Sequence, residues 1–372
     1  MTALHHLSGD QRDLLERAQA LARDTFAPLA RHDGRINRPL LEALGEHGLL
    51  GRVLDGEVPA LDLCLIREGL ARHCTEAETA FAVQGLGTHP ILAHGSPRVI
   101  DEWVPRVARG EAIAGFALTE PGAGSDVARL ALRAERDADG FRLTGEKTYI
   151  SNAPDADVYS VFARTSERGL TAFAVPRESE GLTGEPLELL SPHPIGRLAF
   201  DHVPVPADHV LGEVDQGFKV AMRTLDLFRP SVGAFAVGMA QAALDAATTH
   251  VTGREAFGGT LSRLQGVSHQ LADVATAVQA ARLLVHSAAS AYDRGIRPTT
   301  QAAAMAKLFA TETAQKAIDV AVQVHGARGL EHGHLLEHLY REVRATRIYE
   351  GASEVQREII ARQLFRAAPS DG

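Results

Sequence analysis

In FALTEPGAGSD, residues 116–126, the chain changes texture, with helical spacing before it and strand alternation after it. Pro121, Gly122 and Gly124 predict a tight turn with exposed backbone N–H groups, to which Thr119 and Ser125 add hydroxyls. Upstream, over residues 7–113, apolar residues recur at three and four spacing (Leu14, Leu15, Ala18, Leu21, Ala22, then Leu61, Leu65, Leu70), broken at Gly48, Gly85 and Gly95. That is the period of a helical layer. Downstream, residues 131–137 and 141–150 flank Ala138-Asp139-Gly140, a hairpin signal because glycine tolerates positive φ. Residues 158–164, 170–175 and 197–205 read as further strands, and roughly six to eight short strands close naturally as a barrel or sandwich. From Phe218 the helical period returns in long pieces, 232–251, 264–292 and 300–325, with alanine-rich stripes that suit an antiparallel bundle. The expected domains are 1–114 (helical), 115–217 (β) and 218–372 (helical bundle).

The 372 residues carry 38 Lys and Arg against 47 Asp and Glu, a net charge of −9, and 45% of them are hydrophobic. Such a length exceeds one ordinary core. The negative charge, with no long basic run, argues against nucleic acid as the partner. No window approaches ~20 uninterrupted apolar residues, so no membrane span is expected. The N-terminal stretch is charged from Asp10 onward and lacks an apolar run of signal-peptide length. Cys64 and Cys74, the two cysteines, cannot make a disulfide framework for this length, and a reduced, cytoplasmic setting is the expectation.

Five segments could carry chemistry. The first, 116–126, would by itself be a connector whose hydroxyls satisfy a turn. Gly122-Ala123-Gly124 lacks the third glycine of a dinucleotide fingerprint, and residues 140–148 have one residue too many before Lys147 for a phosphate loop. The second, GEKTYISNA (145–153), puts Tyr149 and Ser151 on one side of a strand, either to meet an aromatic cofactor or to fill a core. The third, GREAFG (253–258) followed by Gln265, offers Arg254 as a helix-end cation or as a diphosphate ligand. The fourth is QVHGARG (323–329), in which Gly326 and Gly329 end a helix. In the fifth, IYEGASEVQREIIAR (348–362), Ser353 and Gln356 have capping-box spacing. Glu350 is thereby expected just outside a helix N-terminus beside Gly351. Taken singly, it reads as a solvated loop carboxylate.

Taken together and in this order, the segments resemble the acyl-CoA dehydrogenase family. The resemblance runs from roughly Leu7 to Phe365 and includes LTEPGAGSD, GEKTYISNA, VPADHVLGEVDQGFKVAM, LDLFRPSVGAFAVGMAQAALDAA, GREAFG, LQGVSHQLADVA, AMAKLFATETA, QVHGARG and IYEGASEVQR. It implies a multidomain α and β fold: an N-terminal helical domain, a middle β-barrel or sandwich, and a C-terminal four-helix bundle. It also implies FAD in a cleft between the β-domain and the bundle, and a homotetramer (or homodimer) in which a neighbour touches each FAD. The implied reaction is α,β-dehydrogenation of an acyl-CoA to the trans-2-enoyl-CoA. Glu350 takes the α-proton, flavin N5 takes the β-hydride, and an electron-transferring flavoprotein is the acceptor. The carbonyl is polarised by a ribityl hydroxyl of FAD and the N–H of Glu350.

By the same similarity, Thr119 and the backbone of Leu118 hold the pyrimidine end of the flavin, with Phe116 and Gly124 in the same segment. Tyr149 stands in place of the usual Trp and Ser151 in place of a Thr that bonds near N5, with Ile150 between them. Ser125 contacts the pantetheine arm or the FAD phosphates. Arg254, Phe257, Gln265, Gln323 and Gly326 reach a neighbour's FAD, while Asp226 and Arg229 match positions near CoA. Tyr349 and Gly351 flank the base at the substrate. Phe228 occupies the position where a second branch of the family carries its base, which leaves Glu350 as the candidate. Departures include Ala327 for a glycine, Glu342 where Asp is usual after Arg341, and Ala352 and Glu354 where a Thr and often a Gln lie near the cofactor. The N-terminal region also lacks a PEEYGG-like loop. These departures bear on substrate and cofactor contacts; acyl chain length depends on pocket depth, with Phe228 and Tyr349 narrowing it if they point inward.

Two rivals remain at this level. His334, Glu337 and His338 match the H-x-x-E-H spacing of inverted zinc peptidases, though a distant third ligand is missing and no metal is expected. A flavoenzyme of the same fold could act on a carrier-protein thioester or pass electrons to oxygen.

Overall fold

Ser8 starts the first helix by accepting from the Gln11 N–H, while the Gln11 side chain accepts from the Ser8 N–H, a reciprocal cap. From there, a computed structural model describes residues 6–296 and 299–367; the outermost residues of the expected first and last domains lie outside this range. In chain order the helices are α1 (Gly9–Leu21), α2 (Arg38–Glu46), α3 (Leu49–Arg52), α4 (Ala60–Ala71), α5 (Thr75–His94) and α6 (Pro97–Ala108). Strands follow: β1 (Ala114–Ala117), β2 (Arg133–Arg136), β3 (Gly140–Ser151), β4 (Val158–Arg164), β5 (Leu170–Pro176), β6 (Leu182–Pro186), β7 (Ile195–Pro206) and β8 (Val210–Leu211). Next come α7 (Gly217–Gly253), a small hairpin of β9 (Glu255–Ala256) and β10 (Gly259–Thr260), then α8 (Gln265–Asp293), α9 (Thr300–His325), α10 (Leu335–Thr346) and α11 (Ser353–Ala367). The chain forms two compact units, and α5 and α7 each contribute residues to both.

The β-containing unit comprises Leu29–Val58 and Thr79–Leu225. β1 to β8 form one sheet in the order β6-β7-β3-β2-β4-β5-β8, with β1 parallel to β4. β4 and β5 are buried along nearly their whole length, so both of their faces are covered. The anticipated hairpin is present, with Arg136 opposite Phe141. Gly85 does not break a helix as its residue type suggests; it lies inside the 20-residue α5, as does Pro90. Glycine is retained one turn-fraction on for contact: a Cβ on Gly87 would stand 2.8 Å from the backbone N of Gly115 on β1. The side chain of Gln84 spans the same junction, donating to Ala112 O (3.2 Å) and accepting from Ala114 N (2.7 Å).

The helical unit comprises the described residues within 1–28, 59–78 and 226–372. α1 packs on α4, α4 on α8, α8 on α9, and α9 on α10 and α11. The small side chains of α7 allow close approach: a Cβ on Gly233 would stand 2.7 Å from Val285 Cγ2 and 3.2 Å from Ala306 O. Buried Ala234, Ala236, Ala240 and Ala243 continue that helix, and Ala303, Ala306, Ala310, Ala314 and Ala317 line α9.

Candidate active site

Between α10 and α11 the chain must turn sharply. Tyr349 N–H still donates to Ala345 O (3.1 Å), after which Glu350 takes φ 51° and Gly351 φ 99°. Left-handed backbone is costly for a glutamate and persists only where its surroundings hold it. Three donors do so. Arg229 Nε reaches Glu350 O at 3.3 Å, Lys307 Nζ reaches Gly351 O at 2.8 Å, and Gln356 Nε2 reaches both carbonyls at 3.3 and 2.9 Å. The φ of 99° is what favours glycine at 351, and a Cβ there would also push the Gln356 amide out of its place. Ser353 and Gln356 do not form the expected capping box. Ser353 is the first helical residue, and its hydroxyl donates to Glu312 Oε1 (2.7 Å) while Gln356 serves the loop.

The carboxylate thus presented is half-buried, and its Oε2 is buried without a hydrogen-bond partner among the described residues. Burial pushes its pKa above the usual carboxylate range, and Arg67, Lys307 and Arg229 offset part of that rise. Arg67 is itself buried, ion-paired with Glu78 and donating to Ser231 Oγ at 2.6 Å. Burial raises Glu78 to about 7 despite that pair. Lys307 is lowered by burial to about 8. Tyr349 is also pushed well up, first by burial and then by Glu78. A carboxylate with an unsatisfied oxygen, desolvated and steadied by nearby cations, is equipped to accept a proton.

Other expected residues of the helical unit fall in two groups. Arg229 holds Asp226 (3.1 Å), which also accepts from Thr300 (2.8 Å), so this pair braces the base loop. Phe228 is 1% exposed and packed in the core, whereas Ala352 is partly exposed and Glu354 lies open to solvent. At the far end of α7 and α9, the rings of His250 and His325 stack with centroids 4.1 Å apart. That contact brings the Arg254–Phe257 hairpin and the Gln323–Gly326 turn to one end of the unit. Phe257 is 91% exposed with φ 54°, and Arg254, Gln265, Gln323 and Gly326 are exposed as well.

In the β-containing unit, β1 runs directly into the glycine turn of residues 118–126. Lys147, wholly buried and lowered by burial to about 8, donates to Leu118 O (2.9 Å) and pairs with Glu120 (2.8 Å). Glu120 in turn accepts from the N–H groups of Ala131 and Leu132. Thr148 N–H donates to Thr119 O at 3.0 Å. This frame fixes both ends of residues 118–132 and leaves Pro121, Gly122, Gly124 and Ser125 exposed. A Cβ at Gly122 or Gly124 would meet nothing within 4 Å, and neither residue has positive φ. The unit itself needs no glycine there, so bare backbone is left for a ligand to approach. Phe116 is partly exposed, its ring 5.0 Å from that of Phe162.

At the end of β3 a register shift between Lys147 and Ile150 accompanies φ 55° at Tyr149. Tyr149 is 58% exposed and Ser151 partly so, while Ile150 is 1% exposed. The strand therefore offers Tyr149 and Ser151 on one face and only backbone at Ile150. Together these features suit a flat, anionic aromatic cofactor. An uncovered tyrosine ring and a hydroxyl can meet a ring system, and a glycine turn of N–H groups can meet phosphate.

Three family models match in sequence: the N-terminal domain of acyl-CoA dehydrogenase over residues 8–111, its middle domain over 115–203 and its C-terminal domain over 215–365. The chain belongs to the acyl-CoA dehydrogenase family. These are FAD-dependent oxidoreductases. A cyclohexane-1-carbonyl-CoA dehydrogenase of Geobacter metallireducens is 34% identical, covering 98% of this chain and 100% of that one. The structure of butyryl-CoA dehydrogenase from Megasphaera elsdenii matches with TM-score 0.91 at 32% identity, covering 97% and 99%. The FAD complex of PigA matches with TM-score 0.92 at 25% identity over the same shares. The acyl-CoA dehydrogenase fold is thus the fold of this chain.

The metal alternative is not supported. His334 Nδ1 accepts from Leu336 N–H, Glu337 pairs with Arg341 at 2.7 Å, and His338 bonds Thr75 at 2.7 Å. Among the described residues no group of three could hold a metal ion. No helix of the described residues is long and apolar enough to cross a membrane. Sequence reasoning missed Lys147, Glu120, Arg67, Glu78 and Lys307. Charged residues in apolar surroundings were the available signal, but nothing local named their partners.

Proposed function

We propose that this acyl-CoA dehydrogenase oxidises a short acyl-CoA at Cα–Cβ, with Glu350 as the base. The observation that carries the proposal is the buried, unpartnered Oε2 of Glu350 on a left-handed loop held by three donors. Glu350 takes the α-proton, and its raised pKa brings its basicity closer to what a weakly acidic thioester α-carbon requires. Among the described residues the N–H of Glu350 donates to no backbone carbonyl, which leaves it for the thioester carbonyl. Bound FAD supplies the acceptor for the β-hydrogen. Thr119, Leu118, Phe116, Gly124 and Ser125 would cradle it, with Tyr149, Ile150 and Ser151 along the ring. Arg254, Phe257, Gln265, Gln323 and Gly326 would serve the FAD of a neighbouring subunit in a homotetramer. An electron-transferring flavoprotein is the proposed acceptor. The names of the relatives, a butyryl-CoA and a cyclohexane-1-carbonyl-CoA dehydrogenase, support a compact acyl group.

The test is Glu350→Gln. The variant is expected to retain FAD and to lose flavin bleaching by butyryl-CoA by about 10²–10⁴-fold, the usual span for a lost general base. Wild-type bleaching by the variant would remove Glu350 from the mechanism. A panel of acyl-CoAs with a dye acceptor, and reoxidation by electron-transferring flavoprotein against air, settle substrate and acceptor.

A further inference from the structure

The loop between β6 and β7 carries a histidine that the reaction as described leaves unused. Ser151, the last residue of β3, lies opposite Ile195 at the start of β7. His193, two residues earlier, brings Nε2 to 2.9 Å from Ser151 Oγ. The backbone locks this arrangement. Asn152, at φ 65°, donates its N–H to Pro194 O (2.7 Å) and its side-chain amide to Ala114 O (2.9 Å). The loop is thereby tied to β1 and β3 on either side of the contact.

Burial lowers His193 to about 4, so the ring is neutral near pH 7. A neutral imidazole has one donor and one acceptor nitrogen. No ion pair to His193 occurs among the described residues, so the carboxylate that orients the histidine of a nucleophilic triad is missing. What remains is a hydroxyl whose direction is set by a neutral ring. With Nε2 donating, the Ser151 O–H is free to point outward as a donor. With Nε2 accepting, a lone pair of Ser151 Oγ points outward instead.

We propose that His193 is a positioning residue that holds the Ser151 hydroxyl against the redox edge of FAD in both oxidation states. The proposal rests on the reading that Ser151 faces that edge. The flavin edge accepts a hydrogen bond when oxidised and donates one when reduced. A serine tied to a neutral histidine meets both demands without leaving its place: with Nε2–H donating to Oγ throughout, the hydroxyl offers its O–H in one state and its second lone pair in the other by turning about Cβ–Oγ, and no proton moves. A serine without the ring is free to leave that rotamer, and its bond to the reduced state weakens.

The test compares His193→Phe, His193→Gln and Ser151→Ala in the FAD-loaded protein, with FAD dissociation constant, visible absorption envelope and reduction potential as readouts. His193→Phe is expected to keep FAD and to lose about tenfold of the preference for reduced over oxidised cofactor. That is the scale of one hydrogen bond and equals about 30 mV for a two-electron couple. His193→Gln, which can still reach the hydroxyl, is expected to restore most of it. If His193→Phe does not retain FAD, His193→Asn, too short to reach, is read by the same criterion. A wild-type potential in the His193 variant together with a shift in Ser151→Ala overturns the role of His193 alone. Wild-type potentials in both overturn the placement of Ser151 at the flavin as well, while leaving Glu350 to its own test.

Discussion

Glu350, Tyr149 and Phe257 are among the seven non-glycine residues with positive φ in the described chain, at 51°, 55° and 54°. All three carry site chemistry in the reading from sequence. Backbone strain of this kind gathers at functional positions because only a site that needs the side chain's direction keeps paying for it. Glu350 also yields a pH dependence with a definite sign. Its folded pKa is raised, first by burial, and the base must be ionised to work. kcat/KM should therefore fall as pH falls through an apparent pKa above the ordinary ~4.3 of a glutamate. The groups that face it and oppose the rise are Arg67, Lys307 and Arg229. Lys307→Met removes one cation and the grip on Gly351 O, so the acid limb should move to higher pH and kcat should drop. A pH–rate profile unchanged from wild type would remove Lys307 from the support of the base.

The 118–132 segment works as an element because its two roles are separable. The Lys147–Glu120 pair builds it, and the exposed glycines face outward. Lys147→Met leaves Glu120 buried without its cation, which costs roughly 3–5 kcal/mol; urea titration should show it as a lower midpoint. Gly124→Ala should behave in the opposite way. Its Cβ enters open space, so the midpoint should hold within about 0.5 kcal/mol, while FAD affinity by fluorescence titration should fall about tenfold or more if backbone there meets the cofactor. Equal loss of stability and FAD binding would mean that the glycine serves the fold. Five of the eight strands of the large sheet, the long helices and the β2–β3 hairpin were legible from alternation and period, whereas β1, β6 and β8 were too short or too polar to stand out. Gly85 misled because a helix tolerates an interior glycine at about 1 kcal/mol. Ser353 and Gln356 misled because their side chains found partners better than each other, Glu312 and the Glu350–Gly351 carbonyls.

At the scale of the molecule, the helical unit depends on charges buried among helices. Burial by itself would raise Glu68, but Arg282 at 2.6 Å and His286 at 3.3 Å bring it down to about 2. A depressed carboxylate stabilises the fold above its unfolded pKa and loses that contribution as pH falls through the folded one. Acid should therefore weaken the helical unit between about pH 4.5 and 2, and Glu68→Gln should flatten that limb in a circular-dichroism titration. Assembly gives a further check. Light scattering should give four times the chain mass, and Phe257→Asp, at a side chain 91% exposed, should yield smaller species with weaker FAD retention. By itself, the amino-acid sequence determined the order of helices, strands and bundle and the segments around Thr119, Ser151, Arg254 and Glu350, because period, turn chemistry and motif are local properties. Only the tertiary structure decided which charges and rings are paired: Arg67 with Glu78, Lys147 with Glu120, Ser151 with His193 and Lys307 with Gly351, which stand 11, 27, 42 and 44 residues apart. Burial sets the strength of such pairs, and burial is a property of the packed chain that no local spacing encodes.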